Sequence, residues 1–147
     1  MTLFHLRPLR PLMIAALAIG WSLPSIVPAI ASQQQTIIQG YAAEAKTTDK
    51  SFTAFSADRG RALFSAHPAT GKPETPSCTT CHTASPVNMG RTRAGKEIAP
   101  LAVSKTPDRY SDIKKVEKWF RRNCKSVLGR ICSPVEKGDF LTFMFTQ

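Results

Sequence analysis

The sequence predicts a small all-α protein whose helices are joined by long loops. Four segments carry apolar residues at helical spacing, and three of these are preceded by a residue that commonly caps helices. No segment alternates apolar and polar residues as a half-buried strand does. The chain has 147 residues, which suffices for one domain.

The N-terminal segment has the order of features of a secretory signal peptide. Two arginines precede an apolar run over residues 12–23, and Ala29-Ile30-Ala31 is a small-residue cleavage signature. We expect cleavage after Ala31, which makes residues 1–31 the signal peptide and residues 32–147 the exported domain. An uncleaved anchor is the alternative, but prolines break the run before it reaches the roughly 20 residues that a membrane-spanning helix needs.

Two helices are predicted in the first half of the exported domain. Residues 33–46 place isoleucine, tyrosine and alanine side chains at helical spacing. Ser56 is the expected N-cap of the second helix, which runs through Phe64. It must end by His67, because the residue before Pro68 disfavours helical geometry.

Two further helices are predicted near the C-terminus. Ser111 or Asp112 can cap the first. The second should start near Ser133 or Pro134, with Pro134 at its first position and with Glu136 three residues after Ser133, as in a capping box. The expected buried side of the first comprises Ile113, Val116, Phe120 and Val127, with Trp119 beside the stripe and Asn123 in register with it. The expected buried side of the second comprises Phe140, Leu141, Met144 and Phe145.

The charge balance is strongly basic, at +10 for the whole chain. Two of the 20 basic residues lie in the signal peptide, which leaves 18 basic and 10 acidic side chains, a net of +8. The basic residues crowd between Arg91 and Arg130, a distribution that could steer an acidic protein partner or lie near anionic lipid. A surface that simply keeps the protein soluble is the alternative. Nucleic acid is disfavoured as a partner, because the chain is exported and has no nucleic-acid-binding motif.

The stretch Cys78-Thr79-Thr80-Cys81-His82 has the C-x-x-C-H pattern of covalent haem c attachment. The two thiols would form thioethers with the haem, and His82 would bind the iron from the proximal side. A redox dithiol usually lies in a βαβ setting, which this sequence lacks, and a zinc site would need further Cys or His ligands. The remaining cysteines, Cys124 and Cys132, can pair as a disulfide in an oxidising compartment.

The second axial position of the iron decides whether the protein carries electrons or binds gases. Met89 follows His82 by only seven residues, and Met144 lies in the predicted core, where methionine commonly fills space. His67 stands at a helix end beside a proline. Asn123 is unusual because it lies on the apolar side of its predicted helix, where its amide would be buried. A buried amide without partners costs roughly 1–3 kcal/mol. A backbone carbonyl could satisfy that amide; alternatively, its oxygen could bind ferric iron, a hard centre that tolerates oxygen donors.

The sequence resembles the SHP-type cytochromes c, the oxygen-binding, asparagine-ligated class I cytochromes of the bacterial periplasm. The runs that carry the resemblance are GRALF, GKPETPSCTTCH, TRAGKEIAPLA, TPDRYSD, KVEKWFRRNC and CSPVEKGDF. The resemblance implies a small class I cytochrome c fold wrapped around one haem c attached through Cys78 and Cys81. It further implies His82 as proximal ligand, Asn123 as distal ligand to ferric iron, and a Cys124–Cys132 disulfide. The segment HTASPVNMG, which contains Met89, departs from the family pattern.

In that family the asparagine is released on reduction, and the ferrous iron then binds O2, NO or a similar small ligand. The resemblance implies electrons from a dihaem cytochrome c linked to a membrane b-type cytochrome, and a monomer or weak dimer in the periplasm. Three functions therefore stand: a gas-binding redox protein that uses Asn123, a plain electron carrier ligated by Met89, and a structural or sensory haem module. Whether the protein turns over NO or O2 as an enzyme is left open.

Overall fold

The structure is a computed structural model that describes residues 29–147. These residues form α1 (Ala29–Thr48), α2 (Ala57–Ser65), α3 (Thr79–His82), β1 (Gly90–Arg91), β2 (Glu97–Ile98), α4 (Ile113–Val127) and α5 (Pro134–Phe145). The all-α prediction is confirmed, with one addition: β1 and β2 pair antiparallel in the loop after α3. The predicted signal peptide lies outside the described residues except for Ala29–Ala31, which are the exposed first residues of α1.

The predicted helix caps are present at three helices. The Ser56 hydroxyl accepts a hydrogen bond from Arg59 N at the start of α2, which ends before His67. Asp112, rather than Ser111, caps α4 by accepting from two backbone amides of its first turn. Ser133 and Glu136 form the predicted capping box of α5. Each cap satisfies backbone amides that the first helical turn leaves without partners.

The core is built where α2 and α1 pack against α5. Gly60 of α2 lies so close to α5 that a Cβ there would approach the Asp139 carbonyl oxygen to 2.1 Å. Phe64, one turn further, packs against Phe143, with ring centroids 5.9 Å apart. The residues buried in this core from α5 are Leu141, Phe143 and Met144. The prediction that Met144 fills the core is confirmed.

Helix α4 differs from its predicted pattern in which side it buries. Its inward side comprises the buried Val116, Cys124 and Val127 and the partly buried Phe120, while Ile113 is 46% exposed. Cys124 follows Phe120 by four residues and takes the core position that the prediction gave to Asn123. Asn123 is exposed on the adjoining flank of the helix, four residues after the exposed Trp119. The expectation of a buried amide was therefore wrong, and no burial penalty applies to it.

Two ion pairs fasten the helices to one another. The carboxylate of Asp139, which is buried in α5, accepts from Arg59 Nε at 2.6 Å and from the backbone N of Ser56 at 2.7 Å. Lys137 is 8% exposed, and its ammonium donates to both oxygens of Glu117 in α4. Burial of Glu117 is outweighed by these bonds and by the Tyr41 hydroxyl, so the pKa of Glu117 lies below its ordinary value. Among residues 29–147, no helix combines the length and the apolar composition that would span a bilayer.

Candidate functional site

The Cys78–His82 segment forms a single turn of helix held at both ends. Ser77 is buried just before it, and its hydroxyl accepts from Thr79 N and donates to the Phe64 carbonyl. The Cys78 carbonyl accepts from the amides of Cys81 and His82, at 3.3 and 3.1 Å. The two thiols are therefore fixed one helical turn apart, with the imidazole directly after the second.

Thr83 ends this turn sharply. Its φ of 61° lies in the left-handed region, which costs a residue with a Cβ about 1–3 kcal/mol. The Thr83 hydroxyl donates to the Ser85 carbonyl and accepts from Ser85 N, which helps to hold the bend. Just beyond, Gly90 packs on the turn, since a Cβ there would approach the Cys81 carbonyl oxygen to 2.4 Å and His82 Cα to 3.2 Å.

The His82 imidazole is neutral at physiological pH. Burial, with a smaller contribution from the positive charge of Arg109, lowers the pKa of His82 to about 4. Arg109 is fixed close by, because its Nε donates to the Pro100 carbonyl at 2.6 Å and its second terminal nitrogen donates to the Ala99 carbonyl. Neutral imidazole is the form that binds transition metals, so the protein presents His82 ready to act as a ligand.

The thiols of Cys78 and Cys81 are unpaired and half-buried. Burial raises the pKa of the Cys78 thiol to about 11. Catalytic redox cysteines show the opposite shift, so a thioredoxin-like dithiol is disfavoured. Within the described part of the chain, no three His, Cys, Asp or Glu side chains lie close enough to hold a metal ion, which disfavours the zinc alternative there.

Cys78 lies against the end of α4 that carries Asn123. It packs on the cluster formed by Cys124, Val127, Leu128 and Cys132. The predicted disulfide between Cys124 and Cys132 is present. The turn over residues 78–82, called the attachment turn because it is the predicted site of haem attachment, and the helix of the predicted second ligand are thus neighbours in the folded chain. They are joined through Cys124, the residue that follows Asn123.

The segment just before the attachment turn is also fastened to this end of α4. Lys72 N and the Thr75 hydroxyl both donate to the Ser126 carbonyl, and the Thr70 hydroxyl donates to the Leu128 carbonyl. Gly71 makes the approach possible, because a Cβ there would lie 2.0 Å from the Val127 carbonyl oxygen. These bonds satisfy carbonyl groups that the helix end leaves free, and they fix the spacing between the two parts of the site.

Asn123 opens onto a basic cleft of about 510 Å³. Its lining residues are Lys72, Arg121, Arg122, Asn123, Lys125 and Ser126. No pattern in the sequence predicted that Lys72, 51 residues upstream of Asn123, would share this cleft. Arg109 beside His82 was likewise missed, because a contact between a loop arginine and a distant histidine leaves no periodic signal.

Comparison with known proteins identifies the family. A family model described as a domain of unknown function (DUF1924) matches residues 50–144. The chain is 59% identical over 91 residues to the cytochrome c-type protein SHP of Cereibacter sphaeroides, covering 62% of this chain and 70% of that protein. It is 33% identical over 114 residues to cytochrome c'' of Methylophilus methylotrophus, covering 77% of this chain and 79% of that protein.

Two solved structures share the fold. Oxidised SHP, described as an oxygen-binding cytochrome c, matches with a TM-score of 0.72 at 52% identity and covers 78% of this chain and 96% of its own. Oxidised cytochrome c'' from Methylophilus methylotrophus matches with a TM-score of 0.67 at 32% identity, covering 79% and 95%. The chain belongs to the SHP-type cytochromes c. The predicted family and fold class are confirmed.

The residues of this SHP-type cytochrome fit the haem c that its family implies. Two unpaired thiols and a neutral imidazole follow one another in one fixed turn, which is the donor set that the C-x-x-C-H pattern requires. Two other candidates for the second ligand of the haem iron have exposed side chains in other parts of the fold. Met89 is 50% exposed in the loop before Gly90, and His67 is exposed beyond the end of α2.

Proposed function

We propose that this protein is a periplasmic electron-transfer cytochrome that binds small diatomic ligands such as O2 and NO at its haem. In this proposal Cys78 and Cys81 attach one haem c covalently, His82 holds one side of the iron, and Asn123 holds the other only in the ferric state. Such a haem supplies an iron that exchanges one electron and binds a diatomic molecule when a coordination position is open.

The observation that carries this proposal is the position of Asn123. Its amide is exposed on the flank of α4, while the next residue, Cys124, belongs to the cluster on which Cys78 packs. Asn123 is thus free of the core yet held beside the attachment turn. An amide oxygen is a hard donor that prefers Fe(III) to Fe(II), so reduction would weaken its hold and open the position.

The relatives support the same reading. SHP is described as an oxygen-binding cytochrome c. The solution structure of cytochrome c'' is described as giving insights into the structural basis of haem-ligand detachment. A releasable ligand and access for O2 are therefore properties stated for two proteins that share this fold.

Ligation by Met89, as in a plain electron carrier, is the second candidate, and the geometry speaks against it. The next residue, Gly90, is packed against the backbone of Cys81 and His82. Residue 89 is therefore tied to the turn only seven residues after His82, which leaves little chain with which to carry its thioether to a second coordination position. A thioether would also stay bound to the softer ferrous iron and leave no position open.

Absorption spectra of the purified holoprotein in both oxidation states test the proposal. Asn123→Val should change the ferric spectrum, whereas Met89→Leu and the matched surface control Asn88→Val should leave it unchanged. Ferrous protein should bind CO and NO in all three variants. A methionine-to-iron charge-transfer band that survives Asn123→Val and disappears in Met89→Leu would refute asparagine ligation. A ferrous wild-type protein that refuses CO and NO would refute ligand binding.

A further inference from the structure

The outward side of α4 is an unbroken row of positive charge. Lys114, Lys118, Arg121 and Lys125 follow one another at steps of four, three and four residues, which places them on one side of a helix. This side is opposite the buried stripe of Val116, Phe120, Cys124 and Val127. At 1.5 Å per residue the row is about 16 Å long. Lys72 and Arg122 extend it into the cleft at Asn123.

The protein's own carboxylates do not neutralise this row. The ion pairs within residues 29–147 join Arg59 to Asp139, Arg93 to Glu74, Lys115 to Asp112, Arg130 to Glu136 and Lys137 to Glu117. None of them involves a member of the row, although Arg121 stands near the carboxylate of Glu117. Glu117 accepts two hydrogen bonds from Lys137, so its charge is already compensated. Charge left unpaired over this length creates a field that attracts an acidic surface.

We propose that this cationic face (Lys72, Lys114, Lys118, Arg121, Arg122 and Lys125) docks an acidic one-electron donor protein. The inference rests on the proposed function, because the ferric protein must accept one electron before Asn123 is released from the iron. The donor loses that electron and is oxidised, the iron gains it and passes from Fe(III) to Fe(II), and no atom is transferred. Docking here places the donor against the end of α4 that carries Asn123 and packs on Cys78.

The chemistry of the face favours a protein over a membrane surface. Helices that lie on bilayers turn an apolar side toward the lipid. The apolar stripe of α4 is already packed against the core, and the outward row carries only charged side chains. Two apolar side chains of α4 stay exposed, Ile113 and Trp119, and the charged groups of Lys118 and Arg122 lie 6.0 and 5.1 Å from the Trp119 ring centroid. Lysine and arginine heads on an exposed helix suit a partner rich in Asp and Glu, whose approach they accelerate by long-range attraction.

Reduction of the ferric holoprotein tests the inference, by stopped-flow mixing with flavodoxin hydroquinone as the acidic donor and by laser flash photolysis that generates lumiflavin semiquinone as the neutral one. Lys114→Glu/Lys118→Glu reverses two charges of the face at exposed positions that do not line the cleft at Asn123. Lys46→Glu/Lys50→Glu is the matched control, since it makes the same charge change at exposed positions at the end of α1.

At low ionic strength the face variant should be reduced by flavodoxin at least about 10-fold more slowly than wild type, and the control less than about 3-fold. The difference should disappear near 0.5 M salt, roughly, where charges are screened within a few ångströms. Titration calorimetry at low salt should show the same order of flavodoxin affinities. Reduction by lumiflavin should be equal in all three proteins.

Three results would overturn the inference. Equal losses in the two double variants would mean that net charge acts without a docking face. A parallel loss with lumiflavin would place the effect at the haem. If the wild-type protein binds phosphatidylglycerol vesicles through this face and the face variant is reduced by flavodoxin as fast as wild type, the face is a lipid-binding surface. Ferrous binding of CO and the ferric spectrum are measured separately, so failure of docking and failure of the proposed function are distinguishable.

Discussion

Gly60 and Gly40 occupy helix interiors whose surroundings differ sharply, and their replacement by alanine should have opposite effects on stability. In α1, a Cβ at Gly40 would meet nothing within 4 Å. In α2, a Cβ at Gly60 would lie 2.1 Å from the Asp139 carbonyl oxygen and 2.9 Å from Phe143 Cβ. Alanine is favoured over glycine in a helix interior by about 1 kcal/mol, so Gly40→Ala should raise the free energy of unfolding by up to that amount.

At Gly60 the same gain in helix propensity is opposed by a steric cost. The atoms that the new methyl group would strike belong to α5 rather than to the end of a flexible side chain, so α2 and α5 must separate by about 1 Å. Overpacking of a fitted interface typically costs 1–3 kcal/mol, and separation would also loosen Phe64 and Phe143. Gly60→Ala should therefore lower the free energy of unfolding by about 2 kcal/mol. Urea unfolding of the holoproteins, with Gly40→Ala as the matched control, measures both changes. A Gly60→Ala protein as stable as wild type would refute the reasoning.

Three other changes test the parts of the structure that hold the site. Replacing Cys124 and Cys132 together by alanine opens a loop with a sequence separation of 8, which should cost about 2.5 kcal/mol by chain entropy; calorimetry that finds less than about 0.5 kcal/mol would contradict this. Glu136→Gln removes the carboxylate that accepts from Arg130 and Ser133. The hydrogen bond from Arg130 is the largest cause that lowers the pKa of Glu136 in the folded protein. The stabilisation by the Glu136 carboxylate is therefore present above its pKa in the unfolded chain and is lost as the pH falls through its pKa in the folded protein. The free energy of unfolding of Glu136→Gln should be about 1 kcal/mol below that of wild type at pH 7, and this difference should shrink in acid. A difference that stays constant down to pH 3 would contradict the expectation. Gly71→Ala should displace the segment before Cys78 from α4 and alter the ferric spectrum, whereas Gly40→Ala, where a Cβ has open space, should leave that spectrum unchanged.

The parts of the fold that sequence predicts well are those set by neighbouring residues. The caps at Ser56 and Ser133 and the stop of α2 before His67 depend only on local hydrogen bonding and backbone sterics. The attachment motif is equally local. The buried stripe of α4 was predicted wrongly at one position, because the step of seven residues from Phe120 to Val127 can be filled at helical spacing by residue 123 or by residue 124. Once Cys124 is counted, Val116, Phe120, Cys124 and Val127 form the regular stripe, and Asn123 moves to its flank.

The parts that sequence does not predict are contacts across large separations. Lys72 joins the cleft at Asn123 through a backbone bond to Ser126, and this contact depends on Gly71 lying against a helix end more than 50 residues away. Arg109 reaches the neighbourhood of His82 through carbonyl groups of a loop with no periodicity. Such contacts follow from the path of the chain in three dimensions, which residue spacing does not encode.

The adjacency of Asn123 and Cys124 limits how Asn123, if it binds the iron as proposed, could be released. A side chain on an α-helix ends about 5–6 Å from the helix axis, so rotation of α4 by 20° would move the Asn123 amide by about 2 Å, enough to break a bond to a metal. Such a rotation is opposed by the Cys124–Cys132 disulfide, by the buried Val116 and Val127, and by the bonds to the Ser126 carbonyl. Release is therefore expected to occur through the two side-chain torsions of Asn123, which can turn the amide into the open cleft while the helix stays in place. Movement confined to one side chain is fast compared with rearrangement of helices, so ligand access would follow reduction without a change of fold.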